Sequence, residues 1–341
     1  MVRGLVVAAV LLATLVGEAD AARDDTAWLQ AKLDAGGTLV LPKLPNGECY
    51  ATRGLWLSRD DTKIVSDGAC IVGTGPGEVR TKSPDGDPIP AEAVFYISRT
   101  SPFSPAPARI SISGLRLDVP ASSNLYGISI LGHLVSVRNV EVTGAPVDAL
   151  YIGGRGNDNY AARVSVTDSR FLAGRRNVVS IVGAIGVEFA RNVVSGGTDT
   201  YEVAPGRAWG NPAAGIDIEP GGRGTPILDV RIADNEIVEN AGPGILVVCT
   251  NYQGLPVLAD GIDILRNRIL RNGTRATPPQ HGGIVFNGGQ DEGGGHVLVE
   301  ANEIAGNRYA ALSVRWDVNF EIEQRNNRIA GAVRVQRLRP E

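Results

Sequence analysis

The chain has 341 residues and a formal net charge of −4, with 43 glycines, 20 prolines and only 5% aromatic residues. The small acidic net charge and the lack of a basic run argue against a nucleic-acid partner. This composition differs from that of an ordinary globular α/β chain and indicates many tight turns.

The N-terminal segment has the pattern of a secretory signal peptide. Arg3 precedes an apolar run over residues 5–16, and Ala19-Asp20-Ala21 fits a small-residue cleavage site. The apolar run is too short to span a bilayer, and no later stretch is long enough. We therefore predict a signal peptide over 1–21 and one exported domain over 22–341. The expected location is secreted or periplasmic, without membrane association after cleavage.

A short helix is predicted next, in "DDTAWLQAKLDAGG" from residue 24. Its Asp-Thr start, its apolar residues Trp28, Leu29 and Leu33 at helical spacing, and its Gly36-Gly37 stop are typical helix signals.

Two strand patterns then alternate along the chain. The first recurs at steps of 23 to 43 residues: "ISISGLRL" from 110, "VSVRNVEV" from 135, "VSVTDSRF" from 164, "VEFARNVV" from 187, "VRIADNEI" from 230, "IDILRNRI" from 262 and "VLVEANEI" from 297. A second strand follows each: "GISIL" from 127, "ALYIG" from 149, "VVSIV" from 178, "GIDIE" from 215, "GILVV" from 244, "GIVFN" from 283 and "ALSVR" from 311. Both show period-two alternation and no helical pattern intervenes.

Alternating strand families at a common period predict an all-β, single-stranded right-handed parallel β-helix of about nine or ten turns. The N-terminal helix would cap its open edge. The asparagines after the first strands fit either turns in left-handed geometry or an inward hydrogen-bonded ladder. Cys49 and Cys70 lie 21 residues apart, which in a coiled chain places one above the other at about 4.8 Å. Since export permits oxidation, we predict a Cys49–Cys70 disulfide.

Two stretches carry a family resemblance that covers residues 24 to about 335. "DDTAWLQAKLDAGGTLVLPKLPNGECY" resembles the N-terminal signature of the pectate lyase-like right-handed β-helix superfamily. "GRRNVVSIVGAIGVEFARNVVSGG", followed by "AAGIDIEP", is similar to a bacterial branch of β-helix repeat proteins. The resemblance implies this fold and a polysaccharide substrate. Polygalacturonase hallmarks, namely an Asn-Thr-Asp run, a central Asp-Asp pair, Gly-His-Gly and Arg-Ile-Lys, are missing.

Two acids in the strand "GIDIE" form the main candidate site. Ile216 and Ile218 match the inward positions of other turns, so Asp217 and Glu219 point outward with Cβ atoms about 6.6 Å apart. Inverting glycoside hydrolases separate their two carboxyl groups by about 6.5–9.5 Å. We therefore expect glycosidic bond cleavage, with Glu219 as the acid and Asp217 as the base, although the sequence scarcely separates the two roles.

Other residues would line the same groove. His281 is a further catalytic candidate, and the substrate-binding candidates are Arg176, Tyr151, Ser180, Asn287, Arg315 and Trp316. At about 4.8 Å per turn these lie up to about 15 Å from the acids, which suits several sugar subsites.

Alternative functions remain open at this stage. A polysaccharide lyase would neutralise a uronic acid with Arg176 or Arg315 and use His281 or Tyr151 as the base, with Ca²⁺ possible on the two acids. A non-catalytic glycan-binding or surface protein, or a purely structural solenoid, would use the same scaffold. An enzyme is favoured. For the hydrolase we expect no required cofactor or metal, and we expect a monomer.

Overall fold

The protein is a right-handed parallel β-helix with one helix at its N-terminus. The computed structural model describes residues 23–82, 86–101, 104–154, 160–198, 202–204, 207–208, 212–221, 225–248, 259–274, 282–288, 295–315, 318 and 321–335. The predicted signal peptide lies outside these ranges. Among the described residues, no helix is long and apolar enough to cross a membrane.

The helix Thr26–Ala35 confirms the prediction from the sequence. The Asp24 carboxylate accepts a hydrogen bond from the Thr26 amide at 2.9 Å, and Gly36 ends the helix with φ of 72°. Leu29 and Leu33 pack into the core with 1% exposure each, whereas Trp28 is 46% exposed and stacks on Tyr50. The helix therefore joins the core at the first turns. Two 3₁₀ turns, Pro45–Gly47 and Ala121–Ser123, follow it.

A ten-stranded parallel sheet forms one side of the solenoid, with one strand from each turn. Its strands are Leu55–Leu57, Ala93–Ile97, Tyr126–Ile130, Leu150–Ile152, Val179–Ile181, Ile216–Ile218, Ile245–Val248, Ile284–Asn287, Leu312–Val314 and Val333–Val335. Ten strands within the described residues agree with the predicted nine or ten turns.

An eighteen-stranded parallel sheet forms the rest of the wall. Its strands are Thr38–Leu41, Cys49–Thr52, Lys63–Gly73, Ser111–Asp118, His133–Arg138, Glu141–Thr143, Ala161–Thr167, Arg170–Leu172, Ala184–Ala190, Val193–Ser195, Ile227–Ala233, Glu236–Val238, Ala259–Leu265, Arg268–Leu270, His296–Glu300, Glu303–Ala305, Glu321–Arg325 and Arg328–Ala330. Two short antiparallel pairs stand apart from it: Val79–Lys82 with Pro88–Pro90, and Glu202–Ala204 with Arg207–Ala208.

Inward side chains from both sheets form one continuous hydrophobic core along the solenoid. The repeat makes this possible because each turn adds a few branched residues and the next turn covers them. Cys49 and Cys70 are direct register partners with Cα atoms 4.5 Å apart, and they form the predicted disulfide.

The asparagines form an inward ladder. The Asn267 side chain accepts a hydrogen bond from the Asn235 amide at 3.0 Å, and Asn302 accepts one from Asn267 at 2.8 Å. The left-handed conformation falls one residue earlier, with φ of 57° at Asp234 and 51° at Arg266. Of the two expectations for these residues, the ladder is therefore confirmed. The residue before each of these asparagines adopts the left-handed conformation that turns the chain between strands, while the asparagine side chain points inward.

Candidate functional site

The outer face of the ten-stranded sheet carries the two acids that the sequence singled out. Ile216 and Ile218 are fully buried in the main core, so Asp217 between them points outward as predicted. Asp217 is in register with Ser180 on one side and Leu246 on the other. The register continues along the sheet, and from the N-terminal side the column of residues aligned with Asp217 comprises Ser129, Tyr151, Ser180, Asp217, Leu246, Val285 and Ser313.

The column is more enclosed than a solvated sheet face. Asp217 is only 4% exposed, and Ser180 is 1% exposed. On the C-terminal side, Leu246, Val248 and Val285 form a small apolar cluster with Ala214. The acid therefore lies between polar turns and apolar turns, and its carboxylate is largely shielded from solvent.

Burial changes the chemistry of Asp217. Burial raises its pKa well above the usual value, and the nearby negative charge of Glu219 raises it further. The positive charge of Arg176 and a hydrogen bond from Asn177 oppose this effect. Asp217 Oδ2 accepts the Asn177 amide at 2.8 Å, but the buried Oδ1 atom has no hydrogen-bond partner among the described residues. A proton on Asp217 avoids leaving an unpaired charge there.

Two residues on the N-terminal side of Asp217 form a buried ion pair: Arg176 lies one turn away and Asp148 two turns away. Arg176 donates from Nε to Asp148 Oδ1 at 3.0 Å and from Nη2 to Oδ2. The Asp148 side chain is 0% exposed and that of Arg176 is 25% exposed. The guanidinium lies over the rings of Tyr126 and Tyr151, at 5.8 and 5.6 Å from their centroids. Burial works to lower the pKa of Arg176, but the charge of Asp148 outweighs it and keeps the guanidinium protonated.

Tyrosines continue this polar half of the face. Tyr126 and Tyr151 are in contact with ring centroids 5.1 Å apart, and burial raises the pKa of Tyr126. Burial likewise raises the pKa of Tyr96 to about 12. Tyr96 and Tyr126 therefore stay protonated near neutral pH and cannot accept a proton there, but the rings of these tyrosines offer apolar surface.

The structure brings some predicted site residues together and separates others. Ser180 is in the turn next to Asp217, and Tyr151 is two turns away. On the other side, Asn287 lies two turns from the acids and is the register partner of Val248 in the intervening turn. The backbone N–H of Arg315, one turn further on, donates to the carbonyl oxygen of Phe286, which neighbours Asn287. His281 and Trp316 lie outside the described residues.

The site residues predicted from the sequence do not include Asp148 or Tyr126. A signal for them exists once the turns are aligned on their second strands. "YGISI" from 126, "DALYI" from 148, "NVVSI" from 177 and "AGIDI" from 214 then place Tyr126, Asp148, Asn177 and Ala214 in one column. Within this column Asp148 belongs to the ion pair, the Tyr126 ring lies beside the Arg176 guanidinium, and Asn177 donates to Asp217.

Charges on the outer face of the eighteen-stranded sheet behave differently. Arg231 pairs with Glu188, and Arg266 pairs with Asp234, with all four side chains between 37% and 48% exposed. An open groove of about 590 Å³ runs past the first of these pairs. Such exposed pairs contribute little to stability and need no special chemistry. Asp217 differs because it is buried with one oxygen unpartnered.

A metal site is not evident in the described part of the chain. No group of three or more His, Cys, Asp or Glu side chains is arranged there to hold an ion.

The fold and this site define a parallel β-helix protein with a buried acid on its ten-stranded sheet. No protein-family model matches the sequence, and no curated protein matches it significantly. Among solved structures, the chain is similar to the tailspike protein gp49 of Acinetobacter baumannii bacteriophage Fri1, a capsular polysaccharide depolymerase. The identity is 17% and the TM-score 0.50, over 92% of this chain and 55% of the tailspike. The chain thus spans about half the length of that protein.

Two other solved structures align over their own lengths almost entirely. The A-module of the Azotobacter vinelandii mannuronan C-5 epimerase AlgE4 is 17% identical, with a TM-score of 0.45 over 93% of this chain and 94% of the module. The Streptococcus pneumoniae surface protein and adhesin PfbA is 14% identical, with a TM-score of 0.42 over 93% of this chain and 94% of that chain. These similarities concern the fold, because identities this low do not carry site residues across.

Proposed function

We propose that this protein is an exported carbohydrate-active enzyme that hydrolyses glycosidic bonds of a polysaccharide along the ten-stranded sheet. The observation that carries the proposal is the pair of neighbouring acids in unlike environments. Asp217 is 4% exposed and Glu219 is partly exposed. Two carboxyl groups whose environments separate their protonation states are what acid and base roles require. The likeness of the fold to a capsular polysaccharide depolymerase supports the substrate class.

The proposed roles reverse the assignment from the sequence. Asp217, whose pKa burial raises, is the general acid, and Glu219 is the general base. The Asp217 proton passes to the glycosidic oxygen as the bond to the anomeric carbon breaks. Water attacks that carbon from the other side and gives its proton to Glu219. Because Asp217 is buried in the unbound protein, substrate must displace the groups that cover it.

Elimination by a lyase receives less support from the same contacts. The Arg176 charge is already paired with Asp148 through two hydrogen bonds, so it is poorly placed to neutralise a uronic acid. The hydrolase proposal requires no cofactor, and Ca²⁺ belongs to the lyase alternative. In the hydrolase proposal, the protein is a secreted or periplasmic monomer that is released by cleavage of a signal peptide over 1–21.

Product mass tests the proposal. Protein lacking residues 1–21 is incubated with a panel of acidic and neutral polysaccharides, with and without a chelator, and the oligosaccharides are weighed by mass spectrometry. Products carrying an added water are expected, and Asp217→Asn or Glu219→Gln should lower kcat at least about a hundredfold. Asp118→Asn makes the same chemical change at an exposed strand end and should leave kcat unchanged.

Other outcomes point to the alternatives. Unsaturated products that disappear with chelation would identify a calcium-dependent lyase and refute the hydrolase. Glycan binding that Asp217→Asn weakens, without products from any polymer in the panel, would favour a binding protein.

A further inference from the structure

Asn177 lies at the centre of the buried polar network and has a fixed orientation. Its Oδ1 atom accepts the backbone N–H of Ala214 at 3.0 Å. A backbone amide only donates, so this contact determines which end of the side-chain amide is oxygen. The Nδ2 atom therefore faces Asp217 Oδ2 at 2.8 Å and Ser180 Oγ at 3.2 Å. Asn177 is itself 2% exposed, so water does not compete for these contacts.

This orientation makes the two oxygens of Asp217 unequal. Oδ2 accepts a hydrogen bond from Asn177, whereas Oδ1 is buried without a partner in the described part of the chain. An acceptor that already receives a hydrogen is the poorer place for a proton. An unpartnered buried oxygen is cheaper as a neutral O–H than as part of an anion. The proton of Asp217 is therefore expected on Oδ1.

The preceding turn holds Asn177 in place. The Asn177 backbone N–H donates to Asp148 Oδ1 at 3.1 Å, and the same oxygen accepts Arg176 Nε at 3.0 Å. The Arg176 guanidinium is in turn packed over Tyr126 and Tyr151. Residues 28 to 40 positions apart in the chain thus form one connected unit over three turns.

We propose that Asn177 is a positioning residue that directs the acidic proton of Asp217 to Oδ1, and that the Asp148–Arg176 pair fixes the Asn177 backbone. The role of this proton position in catalysis rests on the proposed function, since Oδ1 would be the oxygen that protonates the glycosidic bond. The arrangement itself depends only on the hydrogen bonds described above.

Infrared titration of Asp217 tests the inference without relying on activity. The carboxyl band of Asp217 is identified by its loss in Asp217→Asn. In Asn177→Ala the charged groups that act on Asp217, namely Glu219, Arg176 and Asp148, all remain. Removing the amide donor should move the titration midpoint up by about one pH unit, because a hydrogen bond to a charged group is lost.

Two further variants strengthen the test. Asn177→Asp keeps the acceptor for the Ala214 amide and the side-chain shape, so it serves if the alanine variant does not fold. It replaces the donor with an oxygen beside Asp217 and should also raise the midpoint. Ser180→Ala removes the other Nδ2 contact and should leave the midpoint near that of the wild type. An unchanged midpoint in both Asn177 variants would overturn the positioning role.

Activity adds a readout that a merely structural role would not produce. A general acid must be protonated, so activity falls as pH rises through its pKa. The alkaline limb of kcat/KM in Asn177→Ala should therefore move upward by as much as the infrared midpoint. A uniform loss of kcat/KM without movement of that limb would contradict the inference. A shifted midpoint in a protein that cleaves no polymer would support the positioning role and refute the proposed hydrolase, so the two failures are distinguishable.

Discussion

The asparagine ladder makes a strong prediction about stability, centred on Asn267. Its side chain is 0% exposed and forms four hydrogen bonds. Nδ2 donates to Ile232 O at 2.8 Å and to Asn302 Oδ1 at 3.0 Å. Oδ1 accepts the backbone amide of Asn235 at 3.0 Å and its side-chain amide at 2.9 Å. Asn267→Ala removes all four.

The expected loss of stability depends on which hydrogen bonds the residues next to Asn267 still form in the variant. The Asn235 side chain keeps its bond to Phe189 O at 2.9 Å, and Asn302 Oδ1 still accepts the Asn267 amide at 2.8 Å. The Asn235 backbone N–H loses its acceptor deep in the core. A buried donor left without a partner costs about 1–3 kcal/mol, and the space left by the amide adds to this. We expect the free energy of unfolding to fall by about 3 kcal/mol.

Guanidinium unfolding followed by circular dichroism measures this loss. Asn327→Ala is the matched control, because Asn327 is the last described member of the ladder and is partly exposed. Water can replace its contacts, so the expected loss there is about 1 kcal/mol. Equal losses at the two positions, or a loss below about 1 kcal/mol at Asn267, would refute the argument that burial sets the value of the ladder.

Three further predictions concern the disulfide, a close backbone contact and the buried acid. Replacing both Cys49 and Cys70 with serine should lower the free energy of unfolding by about 3 kcal/mol, and reductant should then have no further effect. Gly242→Ala should prevent folding, judged by soluble yield and circular dichroism, because its Cβ would lie 1.5 Å from Pro212 O; the open Gly47→Ala should cost only about 1 kcal/mol. The folded-state pKa of Asp217 is raised, so the wild type should lose stability relative to Asp217→Asn as pH rises above about 4, until the folded pKa is passed. A pH-independent difference between these two denaturation series would contradict the burial argument.

The alignment of strands between successive turns was the part of the structure that the sequence predicted best. The alternation in "GIDIE" and its counterparts fixes which residues face the core, and aligning those strands gave the outward column containing Ser180, Asp217 and Leu246. The 21-residue separation of Cys49 and Cys70 similarly predicted a contact between successive turns. These predictions succeed because a parallel coil brings equivalent positions into contact, so a local pattern determines a distant neighbour.

Burial on the outer face was not predictable in the same way. Alternation indicates that Asp217 points away from the core, but not whether anything covers it. The sequence therefore could not separate the roles of Asp217 and Glu219, which look alike as two outward acids. The contact of Asn177 with Asp217 was missed for a related reason: it depends on a side chain that precedes the strand Val179–Ile181 and reaches into the next turn.

The chemistry of Asp217 has three separate structural sources. Ile216 and Ile218 anchor the strand in the core and set the direction of the carboxyl group. Asn177, from the turn before, sets its rotation, while burial and the charge of Glu219 set its protonation. Because inward residues carry the fold and outward residues carry the site, Asp217→Asn and Asn177→Ala should alter titration while leaving the stacked core in place. A parallel β-helix can therefore acquire an acid of this kind in a single turn, provided that the adjacent turns supply the residues that orient and cover it.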